Sequence, residues 1–319
     1  MKNAPQRIGF LLLDNFSMIA FSNMVEVLRM ANYVTEETLY QWNVTGLDGH
    51  HGCASNGLQI QHTCTLSHLF NMDIVIICGG FQLYKHMTPR LKNFLYRLDH
   101  NKIALGGLCT GAYLLAKAEL LNGYQASMHW ENTLAAQEEF PQVQFNSHIF
   151  TIDRNRYTCS GGLAAIDLSL RLVEIHFPNV AKKICEQFIV HRIRERDEIQ
   201  HQPIAENRQQ LHAQIRDVIG LMENNISEPL SIKEITQHLS VQHRTLERQF
   251  KNHLKCSPKE YYLKLRLIHA QNLLRQSSMS ISNVALACGF CNASSFNKAY
   301  KNAFHYSPKF ERSILDYAS

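Results

Sequence analysis

Apolar residues follow two different patterns along this chain. In the first part, short unbroken apolar runs alternate with stretches of helical period. Residues 7–13 (RIGFLLL), 73–78 (DIVIIC) and 103–108 (IALGGL) read as strands buried on both faces, since a strand with one wet face would alternate. Further strands are expected at 41–47, near Ser127 and at 157–160, and a hairpin at 55–62 turning on Asn56-Gly57. Helical periodicity marks 17–33, with Phe21, Val25, Leu28 and Met30 inward, then 88–101, 112–121, 164–177 and 179–196. Strands alternating with helices predict an α/β domain of flavodoxin type, a parallel sheet with helices on both faces, over residues 1–196.

The second part has no strand pattern. After a polar stretch at 197–207, read as a linker, a helix at 208–224 opens an all-α domain over 208–319. Two similar modules follow, each with a short apolar-periodic helix, a tight break and a second helix. In the first, Ile232, Ile235 and Leu239 face inward, Val241 marks the turn, and Leu246 and Phe250 anchor the second helix. In the second, Ile281, Val284, Ala285 and Ala287 precede Cys288-Gly289-Phe290, and Phe296, Tyr300 and Phe304 anchor. That order is helix, turn, helix. Residues 257–276 lie between them as one helix, with Pro258 in its first turn behind a Ser cap. A helix of about 20 residues spans about 30 Å, close to the pitch of B-DNA of roughly 34–36 Å. Two reading helices held by such a spacer fit successive major grooves.

Charge sharpens that picture. Residues 208–319 carry 15 Lys and Arg against 8 Asp and Glu, net +7, whereas 1–207 carry 17 against 19, net −2. A basic tail alone describes many solvated helical surfaces; with two helix-turn-helix modules it fits a phosphate backbone. Between the anchors, Gln242, His243, Arg244, Glu247, Arg248 and Lys251 would face out from one helix, and Asn292, Ser294, Ser295, Asn297, Lys298 and Lys301 from the other. Arg, Gln and Asn can bond base edges in pairs, whereas Lys suits phosphates, which hold register without reading sequence. No apolar run is long enough to span a membrane, the first residues lack a signal-peptide pattern, and nine scattered cysteines suit a reducing compartment. Cys288-x-x-Cys291 has no second ligand pair at zinc spacing, so no metal and no cofactor is expected.

The other constellation is an elbow, a strand running directly into Cys109-Thr110-Gly111 and then a helix. A helix N-terminus lowers a thiol pKa and collects anions. A nucleophile there would need a base, for which His129 is available, and an acid, for which Glu26 on the first helix is available.

Residues 229–310 resemble the DNA-binding domain of AraC-type regulators, through RTLERQFKNHLKCSPKEYYLKLRLIHAQNLL, SMSISNVALACGF and SSFNKAYKNAFHYSP. The usual Gly two residues before each Ser-Pro is Lys255 in one place and His305 in the other, and the usual aromatic-Arg ending is altered to Phe310-Glu311-Arg312. The elbow resembles PfpI-like members of the class I glutamine amidotransferase-like superfamily. Thr110 stands where some members carry His, which removes that form of peptidase triad. Fusion of the two domains is the pattern of GlxA-type regulators. Within that group FLLLDNF, LRMAN, CTGAYLLAKAELLNGY, MHWE, IDRNRYTCSGG and YYLKLRLI resemble regulators of glycine betaine and carnitine catabolism. The resemblance implies a cytoplasmic, dimeric transcription activator that binds double-stranded DNA, works with RNA polymerase and senses a small metabolite near Cys109. A quaternary ammonium is held by aromatic faces and carboxylates. Glu26, Phe81, Cys109, Thr110, His129, Trp130 and Glu131 are therefore the expected pocket, with the effector's carboxylate at the helix N-terminus behind Cys109. The alternative is a cysteine-dependent amidase or hydrolase carrying a DNA-binding tail.

Overall fold

The unbroken apolar runs become the centre of a six-stranded sheet. The computed structural model describes residues 4–48, 51–80, 86–200, 213–277 and 279–317. They fall into two compact units, Met1–Gln200 and His201–Ser319.

The first unit contains β1 (Gln6–Leu12), α1 (Met18–Thr35), β2 (Tyr40–Gly46), β3 (His51–Cys53), β4 (Gln59–Gln61), β5 (Ile74–Cys78), α2 (Pro89–His100), β6 (Ala104–Leu108), α3 (Gly111–Lys117), β7 (Gln125–Ser127), α4 (Trp130–Glu139), β8 (Gln144–Asn146), β9 (Phe150–Asp153), β10 (Arg156–Cys159), α5 (Ala164–His176) and α6 (Pro178–Gln187). Strand order is β2-β1-β5-β6-β10-β9, parallel except for β9 at the edge. Alternate residues of one strand enter opposite cores. Ile74, Ile76 and Cys78 pack with α1, α5 and α6, whereas Val75 and Ile77 pack with α2, α3 and α4. Two apolar faces are why these strands read as continuous runs. The expected hairpin is β3 with β4.

Three expectations for this unit change. The helix expected over 112–121 stops at Lys117, where Glu119 turns into the left-handed region at φ 63°. The strand expected near Ser127 is present as β7, paired with β8 as a separate ribbon. The helix expected over 179–196 ends at Gln187, with Ile189 at φ 57° and Val190 N–H turned back to the Cys185 carbonyl at 2.9 Å. Beyond it, Arg194 is taken by buried Asp167 of α5, which accepts from its backbone N–H at 2.9 Å and its guanidinium at 2.7 and 3.0 Å. A buried carboxylate holding a guanidinium outweighs one more turn of weak helix. The expected linker at 197–207 also starts too early. Residues 198–200 pair with 147–149, and the unit ends at Gln200; residues 201–207 of that expectation lie outside the described residues.

The second unit is α7 (Ala213–Glu223), α8 (Ile232–His238), α9 (His243–Leu254), α10 (Pro258–Gln276), α11 (Ile281–Ala287), α12 (Ala293–Phe304) and α13 (Pro308–Tyr317). The start of the helix expected at 208 lies outside the described residues. Helix starts are set by capping: Ser231 with Glu234 and Ser257 with Glu260 form capping boxes, and Ser280 accepts from Asn283 N–H. Lys255 and His305, in place of glycine, end α9 and α12 in the left-handed region at φ 56° and 68°. The turn keeps the glycine geometry and carries the side-chain strain. Between α11 and α12, Gly289 has φ 71°, and a Cβ there would meet Pro229 at 2.5 Å. That glycine lets the second module's turn sit against the entry to the first. α10 extends about 28 Å. Its Tyr262 hydroxyl donates to the Asn225 carbonyl at 2.5 Å, and its Arg266 donates to the Cys288 and Gly289 carbonyls at 2.7 Å each. The turn that leads into the first module and the turn within the second are thus bonded to one rod.

Candidate functional site

Cys109 follows β6 directly and adopts φ 59°, a left-handed conformation rare for a residue with a side chain. The chain bends there because strand, elbow and α3 must turn within two residues. Thr110 donates its hydroxyl to the Gly80 carbonyl at 2.6 Å, tying the elbow to the end of β5. Gly161, at φ 87°, closes from the β10 side; a Cβ on it would lie 2.6 Å from the Cys109 Cβ. His129 N–H donates to the Cys109 carbonyl at 3.4 Å. Cys78 and Cys159 flank Leu108 in register on the two neighbouring strands, so three cysteines end three adjacent strands.

The thiol is not activated. Burial pushes the Cys109 thiol up to about 12, the Cys159 thiol adds to the rise, and the Thr110 backbone N–H only partly opposes it. The expectation that a helix N-terminus would lower it is corrected. α3 has seven residues, too few for a strong dipole, and desolvation of the thiolate dominates. The same shortness removes α3 as the seat for an effector carboxylate. Among the described residues no hydrogen bond joins the Cys109 thiol to the His129 ring; the link between these residues is through the backbone.

His129 caps α4 (N-cap position), and Trp130 and Glu131 begin it. The His129 and Trp130 rings lie 5.7 Å apart between centroids. Glu131 approaches His129 Nδ1 at 3.7 Å. Burial holds the His129 pKa below its usual value, and the Glu131 carboxylate opposes that shift. The imidazole, indole and carboxylate therefore form one half-buried cluster beside the elbow.

Glu26 does not join it. It lies two turns into α1, half exposed, in an ion pair with Arg29 at 2.7 Å. The α1 side chain that reaches the loop beside Cys109 is Asn23, whose amide donates to the Gly162 carbonyl at 3.0 Å. Helical period places Asn23 one turn before Glu26, on the side of α1 that meets this loop. Phe81 lies outside the described residues. An open cleft of about 910 Å³ lies elsewhere, lined by Thr45, Asp48, Thr63, Ser67, Arg90 and Arg97 among others, and contains none of the expected pocket residues.

In the second unit the expected reading residues stand outward. Gln242, His243, Arg244, Arg248 and Lys251 on or before α9 are exposed and Glu247 is half-exposed; Asn292, Ser294, Ser295, Asn297, Lys298 and Lys301 are exposed at α12. Leu246, Phe250, Phe296 and Tyr300 turn inward between them. Asn292 Oδ1 accepts from Ser295 N–H at 2.8 Å as the α12 cap, so one of its acceptor positions is engaged within the helix. Gln242 caps α9 by backbone conformation alone, so its side chain makes no capping bond. Among the described residues no helix is long and apolar enough to cross a membrane.

Comparison with known proteins agrees with both halves. Residues 6–175 match the DJ-1/PfpI family and residues 235–313 a helix-turn-helix domain. The HTH-type transcriptional regulator GbdR of Pseudomonas aeruginosa is 42% identical over 309 residues, 97% of this chain and 84% of its own. The HTH-type transcriptional regulator GlxA of Rhizobium meliloti is 30% identical over 305 residues, 95% of this chain and 94% of its own. A crystal structure of an AraC family transcriptional regulator from Pseudomonas putida aligns with TM-score 0.54 at 31% identity, covering 58% of this chain and all of that one. With an unactivated elbow thiol and a two-module DNA-binding unit, the regulator reading stands over the hydrolase. The chain belongs to the AraC family of DNA-binding transcriptional regulators, in the group whose first domain is of DJ-1/PfpI type.

Proposed function

We propose that this regulator responds to glycine betaine, dimethylglycine or carnitine held beside Cys109, and that α9 and α12 read the operator through the exposed residues named above. The observation that carries the effector reading is the cluster of His129, Trp130 and Glu131 beside a half-buried thiol whose pKa is raised. A trimethylammonium group donates no hydrogen bond and is attracted to an aromatic face and a carboxylate. Trp130 and Glu131 offer both, and a thiol that stays protonated tolerates the ligand without attacking it. The 910 Å³ cleft is the less suitable seat for a cation, since Arg97 keeps its lining positive once Arg90 is paired with Asp48 at 2.8 Å. Likeness to regulators of betaine and carnitine catabolism supplies the ligand class. The sensor would extend to Gln200, and the protein would act as a cytoplasmic homodimeric activator engaging RNA polymerase, in keeping with that likeness.

The test is a thermal-shift panel with glycine betaine, dimethylglycine, carnitine and choline at millimolar levels. A ligand that binds only the folded state raises the melting temperature. One of the three carboxylated ligands should raise it in the wild type and not in Trp130→Ala. No shift from any of the three ends this choice of effector.

A further inference from the structure

The last residue of the first unit, Gln200, is bonded to the loop that enters His129 and to residues 147–148, next to Ile149, which in turn is bonded to the loop packed on Cys109. It is 8% exposed. Its backbone N–H donates to the Ser147 carbonyl at 2.8 Å. Its side-chain Nε2 donates to the Met128 carbonyl at 2.9 Å and the His148 carbonyl at 3.0 Å. Met128 immediately precedes His129, whose own N–H is bonded to the Cys109 carbonyl. On the other side, Ile149 N–H donates to the Glu198 carbonyl at 2.9 Å, while the Ile149 carbonyl accepts from Ser160 N–H at 2.9 Å and Ser160 Oγ at 3.0 Å. Ser160 adjoins Gly161, the residue packed on Cys109.

We propose that Gln200 is the positioning residue that relays occupancy of the Cys109 site to the chain leading into the DNA-binding unit. This rests on the effector reading above and adds the route. The segment is held by Arg194 on Asp167 and by Arg192 on Glu198, and at its last residue by the three Gln200 bonds. There the Gln200 amide is half satisfied: Oε1 is buried and has no partner. A buried unpaired acceptor costs stability, so any shift of the Met128–His129 backbone that brings it a donor is favoured, and any shift that removes the Nε2 acceptors is opposed. That gives the segment a preference between arrangements that differ at the site. A ligand can bias such an equilibrium only by binding the two arrangements unequally. A ligand that presses on His129 would reach Gln200 through the Met128 carbonyl, and one that presses on Gly161 would reach residue 198 through Ser160 and Ile149. Gln200 is the last residue of the first unit, so displacement there moves the point from which the chain leads on to the DNA-binding unit.

The test uses the full chain and has two arms. In the first, His129→Ala disturbs the site without any ligand, and hydrogen exchange is followed by mass spectrometry. Amides of Ile149 and Gln200 should exchange at least about tenfold faster while those of β1 and β5 do not change; unchanged exchange at both overturns the proposal. In the second, Gln200→Leu, or Gln200→Asn if the first variant folds poorly, is measured for glycine betaine binding and for operator affinity with and without betaine. Betaine binding should stay within about twofold of wild type while the ratio of the two operator affinities falls toward one. A variant that keeps the wild-type ratio overturns the relay. Betaine that fails to bind the wild type sinks the effector choice alone, and the exchange arm then decides the relay by itself.

Discussion

Two titratable side chains, half-buried Cys109 and buried His269, show how far environment overrides residue type. The Cys109 thiol, moved from 9.0 to about 12, should resist alkylation. Raising the thiol that far leaves very little thiolate at pH 8. Iodoacetamide at pH 8, followed by peptide mass spectrometry, should modify exposed Cys291 at least about 100-fold faster than Cys109. Preferential labelling of Cys109 would mean an accessible thiolate and would return the nucleophile to consideration. His269 is the second case. It lies on α10, 4% exposed, with Nδ1 lacking a partner, and burial lowers its pKa to about 4. The folded value is below the unfolded one, so protons favour unfolding. The stability this residue permits is complete above about pH 6.5 and is lost as pH falls toward 4. The loss is on the order of 3 kcal/mol. Urea unfolding at pH 7 and pH 4.5 should show a smaller pH effect in His269→Leu than in wild type; equal effects would rule out a depressed pKa.

At the scale of elements, the departure Phe310-Glu311-Arg312 turns out to organise the second module. Glu311 on α13 is 1% exposed and accepts from the Tyr300 hydroxyl at 2.6 Å, Arg275 at 2.7 Å and Gln271 at 2.9 Å. One carboxylate ties α12, which carries the second reading face, to the end of α10. These bonds favour its charged form, and its pKa is lowered despite burial. Removing one partner of a buried charged network leaves the others unsatisfied. Glu311→Ala should therefore cost about 3–5 kcal/mol in chemical denaturation of the second unit, and Glu311→Gln less. A loss under about 1 kcal/mol would mean the network is replaceable by water. The helix ends carry a related lesson. Lys255 and His305 show that the C-terminal turn of α9 and α12 is set by the chain path, and a residue without glycine's freedom is forced into it.

For the whole molecule, the division of charge decides what each part can bind. The net +7 of residues 208–319 gives the operator complex its salt dependence. Arg244→Ala should weaken operator binding by about 1–3 kcal/mol, mostly at one base position, whereas Lys251→Ala should weaken all sequences alike and reduce the salt slope by about one. Titrations of operator and scrambled duplexes at several salt concentrations separate the two; a uniform loss in Arg244→Ala would make it a phosphate contact.

The sequence by itself determined the two units, the parallel sheet between two helical layers, the paired helix-turn-helix modules and the elbow at Cys109. All of these are written locally, in apolar period, in Ser caps and in residues adjacent in the chain. What only the tertiary structure decided depends on groups far apart in sequence. The side chain of α1 that reaches the elbow loop is Asn23, because helix phase against the 161–162 loop is a packing outcome. The helix after Pro178 ends early and residues 198–200 stay with the sensor, because Asp167, Met128 and Ile149 offer bonds that no local pattern announces. The Cys109 thiol is protonated rather than activated for the same reason. A pKa is set by what surrounds the group, and burial against Cys159 is visible only once the strands are side by side.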